Sequence, residues 1–155
     1  MPLKDLISED RVVILAGPRD RGAVLQVAAR LLAPDDAAQA EALLDILGAR
    51  ERLASTAIGH GVAIPHGRIG GIEHTRGAFL RLEQPADFGA ADGVPVDLVL
   101  AMAVPEHHAQ EHLQQLAELA ERFADPEFRR RLRLAADADE LADGLLTGDQ
   151  RRDAA

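Results

Sequence analysis

The segment Pro95-Val96-Asp97-Leu98-Val99-Leu100-Ala101-Met102-Ala103-Val104-Pro105 decides the fold class. Between its two prolines only Asp97 is polar. A strand with one wet face alternates apolar and polar residues, so a continuous run of this kind predicts a central strand covered on both faces. Its uninterrupted part, Leu98–Val104, is seven residues, far short of the roughly 20 a membrane helix needs. Outward from it, Val12–Leu15 and Ala78–Leu82 read as further strands, and Ser55–Arg68, with three glycines among short aliphatics, as loop or strand edge. Asp20 is placed to cap a helix bearing Val24, Leu25, Ala28, Leu31 and Leu32 on one face. After Pro34-Asp35 a second helix turns Ala38, Ala42, Leu43, Ile46 and Leu47 inward. Leu113, Leu116, Ala117, Ala120 and Phe123 mark a third, and Asp125-Pro126 starts a fourth. A last one runs from Asp139 to Leu146, closed by Gly148. Strands and helices are interleaved, so the class is α/β or α+β with a small central sheet.

The 155 residues suit one domain, expected over residues 1–148, with Asp149–Ala155 as a polar, flexible tail. A net charge of -9 and 3% aromatics argue against nucleic acid, which asks for cations and stacking rings. With no cysteine there are no disulfides, thiolate metal sites or Cys nucleophile. The N-terminus, Met1-Pro2-Leu3-Lys4-Asp5, lacks the apolar core of a signal peptide, so a cytoplasmic location is expected.

Histidine is the informative residue, because imidazole can be base, ligand or nucleophile near neutrality. His66 follows Gly59-His60-Gly61-Val62-Ala63-Ile64-Pro65 and precedes Gly67-Arg68. Gly59 and Gly61 allow positive φ, the aliphatic triplet anchors the segment, Pro65 fixes φ, and Gly67 is expected to clear space beside the ring. A held, open imidazole is what a nucleophile requires. A second cluster, His107-His108-Ala109-Gln110-Glu111-His112, places His108 and His112 at i, i+4 and matches the His-x-x-Glu-His pattern of some zinc peptidases. A metal-dependent hydrolase using His108, Glu111 and His112 is therefore one alternative, although such a short pattern also arises by chance. Asp35-Asp36 and Arg129-Arg130-Arg131 read as solvated helix faces.

The stretch Arg50-Glu51-Arg52-Leu53-Ala54-Ser55-Thr56-Ala57-Ile58-Gly59-His60-Gly61-Val62-Ala63-Ile64-Pro65-His66-Gly67 resembles the signature of bacterial phosphotransferase-system (PTS) IIA domains of the mannitol/fructose type. The resemblance continues through Gly77-Ala78-Phe79, Asp87-Phe88, Asp92-Gly93, Pro95-Val96-Asp97-Leu98 and Val104-Pro105 to His112-Leu113, covering roughly Leu3 to Gly148. The segment from Arg76 to Pro105 is most similar to the nitrogen-regulatory branch, IIA-Ntr. Ala57 departs from the family's usual glycine.

This resemblance implies a mixed sheet flanked by helices on both faces and no cofactor. It implies that His66 takes a phosphoryl group from an HPr-type phosphocarrier protein, that His112 lies across the site as its partner, and that Arg50 and Ser55 bind the phosphoryl oxygens. Two outputs stay open: regulatory target proteins that sense the phosphorylation state, or, as in sugar transport, a separate IIB carrying an acceptor cysteine. The missing cysteine and the Arg76–Pro105 segment favour the first. A non-enzymatic interaction module of similar fold is the remaining alternative.

Overall fold

The computed structural model describes residues 3–107 and 109–154. Val96–Pro105 forms strand β6, at the centre of a six-stranded mixed sheet, as its apolar run predicts. On one side it pairs antiparallel with β5 (Arg76–Ala86), which pairs parallel with the edge strand β1 (Val12–Leu15). On the other side it pairs parallel with two short strands in succession, β3 (Val62–Ala63) and β4 (His66–Ile69). Between them Ile64-Pro65 interrupts the ladder, but Met102 N–H still donates to Pro65 O at 2.9 Å. β2 (Ala57–Gly59) closes the sheet, antiparallel to β3. The segment Ser55 to Arg68, read as loop or strand edge, contributes three short strands, β2, β3 and β4.

Alternation along β6 splits the core in two. Val99, Ala101 and Ala103 face helices α2 (Arg21–Leu32) and α3 (Ala37–Leu53), packing with Val24, Leu25, Ala28, Leu43 and Leu47. Leu98, Leu100, Met102 and Val104 face α1 (Leu3–Leu6), α4 (Ala109–Phe123), α5 (Pro126–Leu134) and α6 (Ala138–Ala154). Helices cover both faces, so no residue from Leu98 to Val104 is more than 1% exposed.

The caps form as the side chains dictate. Asp20 accepts from Ala23 N at 2.8 Å, Asp36 from Gln39 N at 3.0 Å, and Asp125 from Glu127 N at 3.0 Å. The helix faces hold three corrections. In α3 the buried positions are Ala40, Leu43, Leu47 and Glu51, while Ala38 and Ala42 are exposed. In α4 Leu119, Phe123 and His112 are buried, while Leu113 and Ala117 look outward. Arg129 is not on a solvated face: it is 8% exposed, with Nη1 donating to Phe123 O at 2.8 Å. At the C-terminus α6 runs past Gly148 and through the expected tail to Ala154.

Candidate active site

His66 opens β4 on the face that meets α4, because it is two residues beyond the buried Ile64 and side chains alternate along a strand. Its Nδ1 lies 2.8 Å from Ile64 O. A carbonyl only accepts, so Nδ1 carries the proton and Nε2 keeps its lone pair. Burial is the main influence pushing the His66 pKa down, with the Arg50 and Arg68 charges adding to it and the bond to Ile64 O and the Glu51 charge opposing. The ring is therefore neutral at pH 7.

His112 faces it from the first turn of α4, the ring centroids 4.9 Å apart and tilted by 58°. It is 4% exposed, and its buried Nδ1 has no hydrogen-bond partner among the described residues. Burial first, then the His66 and Arg68 charges, lower its pKa to about 4.

Beside His66 opens a cleft of about 300 Å³, lined in part by Arg50, Ser55, Thr56, Ile58 and Leu116. α3 delivers its first wall. Arg50, in the last helical turn, donates from Nη1 to Ala54 O at 2.7 Å, and Ala54 N donates to Arg50 O. Glu51, 2% exposed, accepts from Thr56 N at 3.0 Å and from Thr56 Oγ1. Ser55 Oγ donates to Phe88 O at 2.6 Å and accepts from Ala57 N at 3.1 Å, so its proton is committed to the buried Phe88 loop.

The β2–β3 hairpin leading to His66 is held at its tip. Gly59 and Gly61 adopt positive φ, as expected, and His60 does so too, at 59°. Asp92 accepts from His60 N at 2.9 Å, while Arg133 Nη2 donates to His60 O at 2.5 Å and the same guanidinium grips Asp97. These bonds hold a non-glycine residue in a conformation that is otherwise costly. Ala57 lies in β2 opposite Ala63, where an extended backbone accepts a Cβ. Gly67 serves a different purpose from the one expected. A Cβ there would point away from the imidazole and come within 2.3 Å of Ile46 Cγ2, so the glycine lets α3 sit close against β4.

The structure thus brings His66, Arg50 and Ser55 to one cleft and sets His112 against the His66 ring. It adds Arg68, which shares the His66 face two residues along β4; strand alternation could have revealed it. Glu51 and Thr56 also emerge here, with no sequence signal beyond their closeness to Arg50 and Ser55. Of the expected metal set, His108 lies outside the described residues. Glu111 is exposed and turned away from His112, bordering a separate hollow with Glu73 and His74. Among the described residues no three His, Cys, Asp or Glu side chains converge on a metal position. Nor is any described helix long and apolar enough to cross a membrane.

An imidazole held in one tautomer, beside a guanidinium and faced by a second imidazole, has the chemistry that a phosphoryl acceptor needs. Residues 5–147 match the family described as phosphoenolpyruvate-dependent sugar phosphotransferase system, EIIA 2, and the chain belongs to that family. It is therefore a phosphotransferase component that works between protein partners. It is 36% identical over 138 residues to a nitrogen regulatory protein of Bradyrhizobium diazoefficiens, covering 89% of this chain and 90% of that protein. The crystal structure of the nitrogen regulatory protein IIA-Ntr from Neisseria meningitidis superposes with a TM-score of 0.82 at 33% identity, over 92% of this chain and 98% of that one. A sugar-system relative, the 2-O-alpha-mannosyl-D-glycerate-specific EIIABC component of Escherichia coli, is 36% identical over 118 residues, 75% of this chain but 18% of that protein.

Proposed function

We propose that this chain is a cytoplasmic phosphohistidine carrier of the nitrogen-regulatory type, which takes a phosphoryl group on His66 from an HPr-type protein and presents its phosphorylation state to regulatory targets. The observation that carries the reading is the bond from His66 Nδ1 to Ile64 O, which leaves Nε2 as the nucleophile. The Nε2 lone pair forms the new N–P bond as the donor's N–P bond breaks and its electron pair returns to the donor imidazole. No proton need move, because Nδ1–H stays on Ile64 O.

Such a transfer asks the protein chiefly for positioning and charge. Arg50 supplies donors to the phosphoryl oxygens, and a guanidinium can hold two of them at once. Arg68 adds a second positive charge. His112 borders the group from the first turn of α4, where backbone N–H groups also favour an anion. Ser55, with its proton on Phe88 O, shapes the wall, so Arg50 rather than Ser55 is the main donor to the oxygens.

The test is to mix the chain with phosphorylated HPr-type protein and map the label by mass spectrometry under alkaline conditions. Label on His66, and none in His66→Ala, is expected; equal labelling of the variant overturns the site. The likeness to the EIIABC component favours a second reading, the sugar-transport form. Rapid passage of label to a separate fructose- or mannitol-type IIB would select it over the regulatory one.

A further inference from the structure

We propose that Glu51 sets the phosphoryl-transfer potential of His66: its buried negative charge keeps the phosphohistidine energetic enough to release its phosphoryl group to the next protein. The inference rests on the phosphocarrier reading above.

Glu51 is an unfavourable residue for its position on two counts. It lies in the last turns of α3, where the helix end already carries partial negative charge. It is also 2% exposed, and among the described residues no Lys, Arg or His stands within ion-pair distance of it. Burying a carboxylate without a cation is costly. Hydrogen bonding alone does not call for the charge. Both oxygens are satisfied by Thr56, one by its N–H and one by its hydroxyl. A glutamine would serve nearly as well, its carbonyl accepting from the N–H and its amide donating to the hydroxyl oxygen. Charge is the one property of Glu51 that these two hydrogen bonds do not require. Thr56, which holds both Glu51 oxygens, lines the His66 cleft, so the carboxylate stands just behind the wall that faces the ring, and its charge opposes the lowering of the His66 pKa.

A carrier must accept a phosphoryl group and then lose it. Arg50, Arg68 and the start of α4 all stabilise the bound group, and unopposed they would make His66 a sink. Phosphorylating a neutral imidazole that keeps its Nδ1–H places two negative charges on the phosphoryl oxygens and one positive charge on the ring. A nearby carboxylate attracts the ring and repels the oxygens. Because Coulomb energy falls as 1/r, repulsion wins unless the phosphoryl group is more than twice as far from Glu51 as the ring.

The experiment compares wild type with Glu51→Gln, using phosphorylated HPr-type protein as donor at about pH 8, where the phosphoryl group is dianionic. At equilibrium the variant should hold the phosphoryl group more tightly, moving the distribution toward phosphorylated His66 by roughly three- to ten-fold. Independently of any donor, NMR titration should show the His66 ring of the variant losing its proton at lower pH than wild type. Glu51→Met, similar in size and uncharged, should shift both readouts the same way and stands in should Glu51→Gln not fold. A merely structural Glu51 would slow phosphorylation while leaving the equilibrium unmoved. That result, or a His66 titration unchanged in both variants, overturns the inference. A wild-type chain that takes no label on His66 sinks the carrier reading instead, so the two failures are distinct.

Discussion

In the folded chain His112 stays neutral well below the pH at which a free imidazole takes up a proton, because its ring is buried and faces His66 and Arg68. Its pKa falls from 6.5 to about 4, and that difference ties stability to pH. Above pH 6.5 the ring is uncharged both folded and unfolded, and its contribution is complete. As pH drops from 6.5 toward 4, the unfolded chain binds the proton that the folded chain refuses, so stability drains away across that window. The whole effect is worth up to about 3 kcal/mol. His66, shifted in the same direction, adds to the slope. Urea unfolding at about pH 7 and about pH 4.5 measures it. His112→Gln should lose much less stability between the two conditions than wild type, and an unchanged loss would show that His112 is not the titrating group. In the carrier reading, a neutral His112 can accept a proton once a phosphoryl dianion arrives beside it.

Among the elements, the contact of α3 with β4 is the most exacting. With Gly67 lacking a Cβ, Ile46 of α3 packs directly on the strand that carries His66, and Arg50, one turn further along α3, reaches the cleft. Gly67→Ala would put a methyl group 2.3 Å from Ile46 Cγ2, forcing helix and strand apart. A cost of about 1–3 kcal/mol is expected, with slower phosphorylation of His66. Ile46→Ala removes the clashing methyl, so the double variant should recover part of the loss. A double-mutant cycle by chemical denaturation reads this coupling directly, and additive effects would place the strain elsewhere. None of this was legible in the sequence, where Gly67 suggested room for the imidazole. The strands at Val12–Leu15 and Val96–Val104 and the caps at Asp20 and Asp125 were legible, because each depends on local chemistry alone. The faces of α3 and α4 were legible only in part: Leu43, Leu47 and Phe123 point inward as expected, but Ala38, Ala42, Leu113 and Ala117 do not. Alanine on either side of a helix leaves the apolar stripe ill-defined, and in α3 one buried position is the carboxylate Glu51. The site divides the same way. The resemblance singles out His66, His112, Arg50 and Ser55, and strand alternation from His66 reaches Arg68, but nothing local to Glu51 shows that its carboxylate is buried on Thr56.

Over the whole molecule, the His66 ring opens to a cleft between the end of α3 and the middle turns of α4, where Leu116, Ala117 and Ala120 line it. Exposed apolar side chains border it in a chain of net charge -9: Ile58, which lines it, is 41% exposed, and Leu113, on the α4 face of Leu116, Ala117 and Ala120, is 65% exposed. Large exposed apolar side chains beside a half-buried imidazole mark a protein-docking surface. In the carrier reading, a phosphoryl group on the donor's histidine can reach His66 only if the two surfaces approach closely enough to exclude water around the transfer. Leu113, directly after His112 on α4, is therefore expected to contribute to donor affinity and little to folding. Leu113→Ser should raise the KM for phosphorylated HPr-type protein about ten-fold, the loss of one well-packed apolar anchor. Its urea midpoint should stay near wild type, as surface substitutions shift stability by about 0.5 kcal/mol or less. Stopped-flow phosphorylation at varied donor concentration separates the two effects. A change confined to kcat would mean that Leu113 acts through His112 and the chemistry, and that the donor docks on another part of the rim.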